Sequence, residues 1–185
     1  MPPDPTLIAR AVADLEAGRV IAYPTEAVFG LGCRADDRSA TERICALKER
    51  PLDQGVIVLI DSLEQLDGWI APLEASDRAR LAQTWPGPVT WLLPASEGCP
   101  VWLRGRHSSL AVRQSAHPLC RALCQGLGHP VVSTSANRAG QPPARSADEV
   151  RSVFGDQVDR VIDAPLGEAS APSTIRDLRT NRQLR

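Results

Sequence analysis

No apolar run in this 185-residue chain approaches the ~20 residues of a membrane-spanning helix. The opening MPPDPTLIAR lacks a basic stretch followed by an apolar one, so it does not read as a secretory signal. A cytoplasmic protein that keeps clear of membranes is expected. Cysteine is present but unpatterned. Cys33, Cys45, Cys99, Cys120 and Cys124 make an odd count with no C-x-x-C pair, which argues against a disulfide framework or a zinc ribbon. Cys120 and Cys124, four apart, are expected as buried thiols on one helix face. His107, His117 and His129 fall into no H-x-x-x-H or H-E-x-x-H spacing, so no metal held by protein ligands alone is expected. Lysine is nearly missing: of 21 basic residues only Lys48 is not arginine. There is no G-x-x-x-x-G-K-[ST] phosphate loop and no G-x-S-x-G nucleophile elbow. Gly30-Leu31-Gly32 is a bare G-x-G. Any nucleotide is therefore handled by another route.

What is present is ordinary globular composition, 43% apolar and 23% charged, in a chain of single-domain length. One domain over residues 1–185 is expected. The net charge of −1 hides an asymmetry. Residues 1–100 hold nine Lys/Arg against 15 Asp/Glu, and residues 101–185 hold twelve Arg against seven Asp/Glu. A basic half on a near-neutral protein suits an anionic ligand such as a nucleotide or RNA phosphate, although most of these arginines are expected only to solvate helix faces.

The pattern alternates short strands with helices. Asp4-Pro5 offers an N-cap with proline at N1, and Gly18 ends the helix. RVIAYP reads as a buried strand and TEAVFGLGC as the loop after it. Ser39-Ala40-Thr41-Glu42 reads as a capping box opening a helix through Lys48. GVIVLI (55–60) is a strand. Helical pattern runs from Ser62 to about Gln83, broken by Pro72 and re-capped at Ser76. Strands follow at 89–93, SLAVRQ (109–114) and PVVST (130–134). A helix starts at His117-Pro118 and ends at Gly126 or Gly128. Another is capped by Ser146 through Glu149 and followed by Gly155. RVIDA and PSTIRD are the last strands. Six or seven strands with four or five helices, joined irregularly, imply an α/β domain with a twisted open mixed sheet, parallel and antiparallel, and flanking helices.

Four polar clusters lie at the edges of these elements, where open α/β sheets bind ligands. They are Pro24-Thr25-Glu26, Lys48-Glu49-Arg50-Pro51, Arg113 within SLAVRQ, and Ser133-Thr134-Ser135-Ala136-Asn137. Each has a structural reading as well. Thr25 could cap a turn, Lys48 and Arg50 could complement a helix C-terminus, and Ser/Thr/Asn runs form ordinary turns. Arg113 could pair with a structural carboxylate such as Asp163 or Asp177. Alternation puts Leu110 and Val112 on one side of their strand and Ala111 and Arg113 on the other. Jointly, two cations and a hydroxyl/amide cluster suggest a site for phosphates and small polar groups.

The segments VIAYPTEAVFGLGC, ALKERPLDQGVIVLI, WPGPVTWLLPA, SSLAVRQSAHPLC, HPVVSTSAN and PSTIRD run nearly end to end. In order and spacing the chain resembles the YrdC/TsaC family, the short bacterial threonylcarbamoyl-AMP synthases. The resemblance implies an open mixed sheet with a concave, positively charged face. It implies a reaction in which L-threonine, bicarbonate and ATP, with Mg2+, give threonylcarbamoyl-AMP and pyrophosphate for tRNA modification. The family's K-x-R plus S-x-N tetrad falls on Lys48, Arg50, Ser135 and Asn137, as catalytic and ATP-binding residues, with Arg145 also at an ATP position. Its threonine positions fall on Thr25, Arg113, Ser133 and Ser173. Ala27 departs from the threonine that many members carry after PTE. The length implies that the extra C-terminal domain of the longer family form is missing, so any lid comes from elsewhere. Implied partners are tRNA on the basic concave face and a downstream threonylcarbamoyl-transferase complex. Two other readings share the fold: a non-catalytic RNA-binding accessory protein, and the carbamoyl-transfer domain of hydrogenase maturation proteins. The latter are large chains with zinc-finger segments, which this chain lacks.

Overall fold

The computed structural model describes residues 2–184, so Met1 and Arg185, the ends of the expected domain, lie outside the described residues. Eight strands form one sheet in the order β7-β1-β2-β6-β3-β5-β4-β8. In chain order they are β1 (Ile21–Pro24), β2 (Phe29–Gly32), β3 (Ile57–Ile60), β4 (Val89–Pro94), β5 (Ser109–Gln114), β6 (Val131–Ser135), β7 (Arg160–Val161) and β8 (Thr174–Asp177). The pairs β1·β7, β3·β5 and β4·β8 are parallel and the others antiparallel. The sheet is thus open and mixed, as the irregular connections implied.

Among the described residues six α-helices flank it: α1 (Pro5–Glu16), α2 (Arg38–Leu47), α3 (Ala75–Ala82), α4 (Val101–Arg104), α5 (Pro118–Leu127) and α6 (Ala147–Phe154). Local chemistry sets their ends. Asp4 caps α1, its carboxylate accepting from Thr6 N at 2.8 Å. Ser146 Oγ accepts from Glu149 N at 3.1 Å at the start of α6. Gly128, at φ +68°, closes α5 in the left-handed conformation.

Two apolar layers sandwich the sheet. One face carries Ala22, Leu31, Val58, Trp91, Leu93, Leu110, Val112 and Val132 into the larger core, together with Ile44 of α2 and Val150 and Phe154 of α6. The opposite face carries Ile21, Tyr23, Leu59 and Val131 against α1 and α5. Cys120 and Cys124 belong to this second core, and both are buried as expected. Burial pushes the Cys120 thiol up to about 12 and the Cys124 thiol higher still. Neither is a reactive thiolate at neutral pH.

Several boundaries differ from the sequence reading. The stretch after RVIAYP is no loop, because Phe29–Gly32 turns back as β2 and pairs with β1. Its two glycines mimic a loop, but Gly32 answers to packing. A Cβ on Gly32 would stand 2.6 Å from Tyr23 Cε1 and from Val132 O. The cap of α2 is Asp37, whose Oδ1 accepts from Ala40 N at 2.9 Å, rather than Ser39, and the helix ends at Leu47 with Lys48 as its C-cap. Residues 63–66 form only a short 3-10 turn, and α3 begins after Glu74, which shares a capping box with Asp77. The four-residue α4 was not foreseen.

Gly32→Ala should destabilise the fold by about 1–3 kcal/mol through overpacking. Urea unfolding of the variant against the parent checks this. An unchanged midpoint would mean that Tyr23 yields without cost.

Candidate active site

The α1 and α5 helices cover only part of their face of the sheet. Beyond Leu59 and Val131 the face continues bare, and Ser133, Ile57, Ala111 and Leu92 lie in register across β6, β3, β5 and β4. All four line a cavity of about 550 Å3. Such a volume suits a small organic ligand. The alternation expected for β5 holds, with Leu110 and Val112 in the core and Ala111 and Arg113 facing the cavity.

Among the described residues the cavity lining includes the cations Lys48, Arg50, Arg104 and Arg113, and a single acid, Glu26. Lys48 is 5% exposed. Its ammonium donates to Ser135 O, to Asn137 O at 3.1 Å and to Asn137 Oδ1 at 3.0 Å. Ser135 Oγ donates to the same Asn137 Oδ1 at 2.6 Å. The Asn137 amide donates to Arg138 O and Gln141 O, which shapes the loop after β6. Ala139 N donates to Lys48 O at 3.0 Å, tying that loop to the end of α2. A positive φ of 54° at Glu49 turns the chain so that Arg50 follows into the cavity wall. Arg50 Nη2 donates to Gly55 O at 2.7 Å, while its Nε is buried without a partner. Burial, then the neighbouring Arg50 charge, lowers the Lys48 ammonium to about 8. It remains a cation at neutral pH, and a bound polyanion would favour that form.

Arg113 is 9% exposed. Its Nε donates to Gly87 O at 3.1 Å. Its Nη2 forms an ion pair with Glu26 Oε1, close in distance but poorly angled for a hydrogen bond. Glu26 Oε1 also accepts from Ser115 Oγ at 2.8 Å and Ala116 N at 3.1 Å. The partner is therefore neither Asp163 nor Asp177. Asp163 lies on the surface 3.5 Å from Arg151, and Asp177 Oδ1 accepts from Thr180 N. Thr25 Oγ1 donates to Val28 O at 2.7 Å, and the Ser173 and Thr90 hydroxyls are 2.9 Å apart.

Of the residues singled out by sequence, Thr25, Lys48, Arg50, Arg113, Ser133, Ser135 and Ser173 line this one cavity. Asn137 stands behind it, bonded to Lys48 and Ser135. Arg145 is exposed and outside the lining, its backbone N–H donating to Glu149 Oε2 at 2.6 Å. Sequence reasoning did not assign Glu26 to the site, although it stood in a polar cluster at a strand end. Arg104 and His107 were missed because nothing in their local pattern marks the unforeseen α4.

The Lys48 shift has a stability consequence. Between about 8 and 10.5 the unfolded chain keeps the Lys48 proton while the folded chain has lost it. Folding stability attributable to Lys48 should therefore rise with pH across that window. Comparing urea unfolding of the parent and of Lys48→Met from pH 7.5 to 10.5 reads the difference. Parallel pH profiles would show that the ammonium carries no such penalty.

Comparisons with known proteins identify the family. The Sua5/YciO/YrdC family model, described as telomere recombination, matches residues 13–185. The threonylcarbamoyl-AMP synthase of Chromohalobacter salexigens is 53% identical over 178 residues, covering 96% of each chain. That of Nitrosococcus oceani is 53% identical over 171 residues, covering 92% of each. These relatives are nucleotidyltransferase-type enzymes. Among solved structures, P. abyssi Sua5 complexed with L-threonine is 34% identical with a TM-score of 0.86, over 93% of this chain and 51% of that one. E. coli YciO is 29% identical with a TM-score of 0.81, over 95% of this chain and 85% of that one. T. kodakarensis HypF, at 18% identity and a TM-score of 0.76, shares the fold alone. With the family model covering nearly the whole length and relatives at half identity, the chain belongs to the Sua5/YciO/YrdC family.

Proposed function

We propose that this chain is an L-threonylcarbamoyladenylate synthase, converting L-threonine, bicarbonate and ATP into threonylcarbamoyl-AMP, pyrophosphate and water. The observation that carries this reading is one cavity holding both a cation pair, Lys48 and Arg50, and a separate buried guanidinium, Arg113. The first suits a triphosphate and the second an amino-acid carboxylate. Half identity to synthases over nearly the full chain supports it.

The chemistry asks for little covalent help. The threonine amine and bicarbonate form a carbamate, and a carbamate oxygen attacks the α-phosphorus as pyrophosphate leaves. Such a displacement needs alignment and charge neutralisation more than a strong base. In this reading Lys48 and Arg50 neutralise the triphosphate and the departing pyrophosphate. Ser135 and Asn137 fix Lys48 and offer polar contacts to phosphate or carbamate oxygens. Arg113 binds the threonine carboxylate, with Thr25, Ser133 and Ser173 around the rest of the amino acid. Among the described residues no cluster of three His, Cys, Asp or Glu could hold a metal ion. The magnesium of this reading would be held by the nucleotide phosphates rather than by a set of protein ligands, and it would screen their charge. No described helix is long and apolar enough to cross a membrane. We place the enzyme in the cytoplasm, its product passing to a transferase that modifies tRNA beside the anticodon.

Pyrophosphate release should require ATP, bicarbonate and L-threonine together, and labelled bicarbonate should appear in the adenylate by mass spectrometry. Serine should be the poorer substrate by ~1–3 kcal/mol for its missing methyl. Equal turnover without threonine or without bicarbonate would sink the reading. Tight RNA binding with no turnover would favour the accessory-protein alternative.

Lys48→Ala should lower kcat at saturating substrates while the protein stays folded by circular dichroism. Lys48→Arg should recover only part of it, because a planar guanidinium cannot reproduce three convergent bonds from one point charge. A parental rate for Lys48→Ala would reduce Lys48 to a helix-end charge.

A further inference from the structure

Glu26 is the only acidic residue among the described lining of the cavity, and it sits against the guanidinium proposed to bind a carboxylate. By itself that is a poor arrangement for an anion site, since a carboxylate repels a carboxylate. The chain nonetheless fixes Glu26 firmly. Its side chain is 13% exposed. Oε1 takes the Ser115 hydroxyl, the Ala116 N–H and the Arg113 charge. Its backbone oxygen accepts from Ala169 N at 3.1 Å, and the carbonyl of the preceding Thr25 accepts from Gly167 N at 2.9 Å. Gly167 passes so close that a Cβ there would lie 2.8 Å from Glu26 Cα. Burial alone would raise the Glu26 carboxyl, but the Arg113 charge and the Ser115 hydrogen bond outweigh it and hold it below the usual range. Glu26 is thus an anion at neutral pH, while its Oε2 is buried and has no partner.

Arg113 is held in turn. Gly87 O takes Nε and Glu26 takes Nη2, while Nη1 makes no bond among the described residues. The guanidinium therefore has its Nε/Nη2 edge committed to the scaffold and its Nη1 group left for the cavity it lines. The Arg113–Glu26 pair is neutral overall, with its positive and negative ends adjacent. A zwitterionic α-amino acid has the same property. Its carboxylate complements Arg113 and its ammonium complements Glu26. A simple carboxylate of the same shape gains the first interaction and meets repulsion from the second.

We infer that Glu26 is a specificity-determining residue, which aims Arg113 at the substrate carboxylate and makes the cavity select zwitterionic α-amino acids over carboxylates lacking the amine. This deepens the proposed reaction and rests on it for the identity of the amino acid. The role matters there because the amine is the atom that must be carboxylated. A carboxylate without it, bound beside ATP, would block the site. The arrangement excludes such anions by charge rather than by shape.

The test measures binding of L-threonine and of 2,3-dihydroxybutanoate, in which a hydroxyl replaces the amine, by calorimetry on the parent and on Glu26→Gln. Glutamine keeps the shape and one carbonyl acceptor for Ser115 and Ala116, and removes the charge. The parent should prefer threonine by about tenfold or more, as expected for a charged contact. Glu26→Gln should lose most of that preference by weakening threonine and sparing or improving the hydroxy acid. Its KM for ATP should stay near the parent's, a split that general loss of structure would not produce. Glu26→Asp, which keeps the charge on a shorter arm, should recover part of the preference. A Glu26→Gln variant that keeps the full preference overturns the inference and leaves the synthase reading standing. A parent that binds no threonine overturns the synthase reading itself. Should Glu26→Gln unfold, the parent and Glu26→Asp still decide: a parent that binds both acids equally refutes charge selection.

Discussion

Eight strands present two faces, and the helices do not cover both. The larger core takes one face whole, while α1 and α5 reach only Ile21, Tyr23, Leu59 and Val131 on the other. Apolar strand residues left uncovered would ordinarily be a liability. Here the bare stretch is small and mixed, with Ser133, Ile57, Ala111 and Leu92 in one row. Its floor is rigid because every strand beneath it is hydrogen-bonded on both sides. Its walls come from the segments that lead into and out of these strands, within residues 25–28, 48–56 and 171–173, and from the end of β6 at Thr134 and Ser135. The cavity is therefore a consequence of helix placement, and the chemistry is supplied by whatever those loops carry.

The loops carry charge in two differently built sites. At Lys48, one ammonium is surrounded by neutral acceptors, two backbone carbonyls and an amide oxygen. Nothing there neutralises it, so the positive field reaches the cavity undiminished by any carboxylate, and Arg50 adds to it. The cost is a lowered proton affinity for Lys48, which burial and Arg50 impose together. At Arg113 the opposite holds, because Glu26 neutralises the cation locally. A site for several phosphate charges needs the first construction. A site for a molecule with one charge of each sign needs the second. Low-dielectric walls sharpen both fields relative to water.

How much of this was legible in sequence follows from the range of each interaction. The strand SLAVRQ was readable to the residue because alternation is local, and so was the side to which Arg113 points. Helix α5 was readable because its proline start and glycine stop are local too. The loss of β2 has a physical cause. Gly30 and Gly32 look like loop punctuation, yet Gly32 is small because Tyr23 and the backbone of β6 press on that strand. Only the partner strand reveals this. Asp37 displaced Ser39 as a cap because both precede a helical run and sequence does not fix which one leaves the helix. The polar clusters at 48–51 and 133–137 were legible as element edges that could share a site, but the tetrad Lys48, Arg50, Ser135 and Asn137 and its roles came from resemblance, because no local pattern joins the end of α2 to a segment so much later in the chain. Glu26 as the partner of Arg113 was out of reach for the same reason, whereas Asp163 and Asp177 suggested themselves only by being acidic and nearer in sequence.

The late part of the chain supplies another wall of the cavity. Pro165 O lies 3.3 Å from His117 Nε2, Gly167 N reaches Thr25 O, and Ala169 N reaches Glu26 O. These contacts lay residues 165–169 along the rim formed by the β1–β2 turn. Ala171, Pro172 and Ser173 then drop into the cavity lining before β8 begins. β8 pairs in parallel with β4 at the sheet edge, so its entry point is fixed by Thr174 N donating to Pro88 O. The segment is thus pinned at both ends, by the rim at one and by the sheet edge at the other. Its middle contributes no regular hydrogen-bonded structure of its own, so its position depends on those anchors. Glu26 therefore bears on the cavity twice: once through the charge it presents and once through the strap that its backbone oxygen holds, with His117 as a second, uncharged anchor. The wall of this site is kept where it is by backbone contacts to residues 165–169 as much as by the side chains that line it.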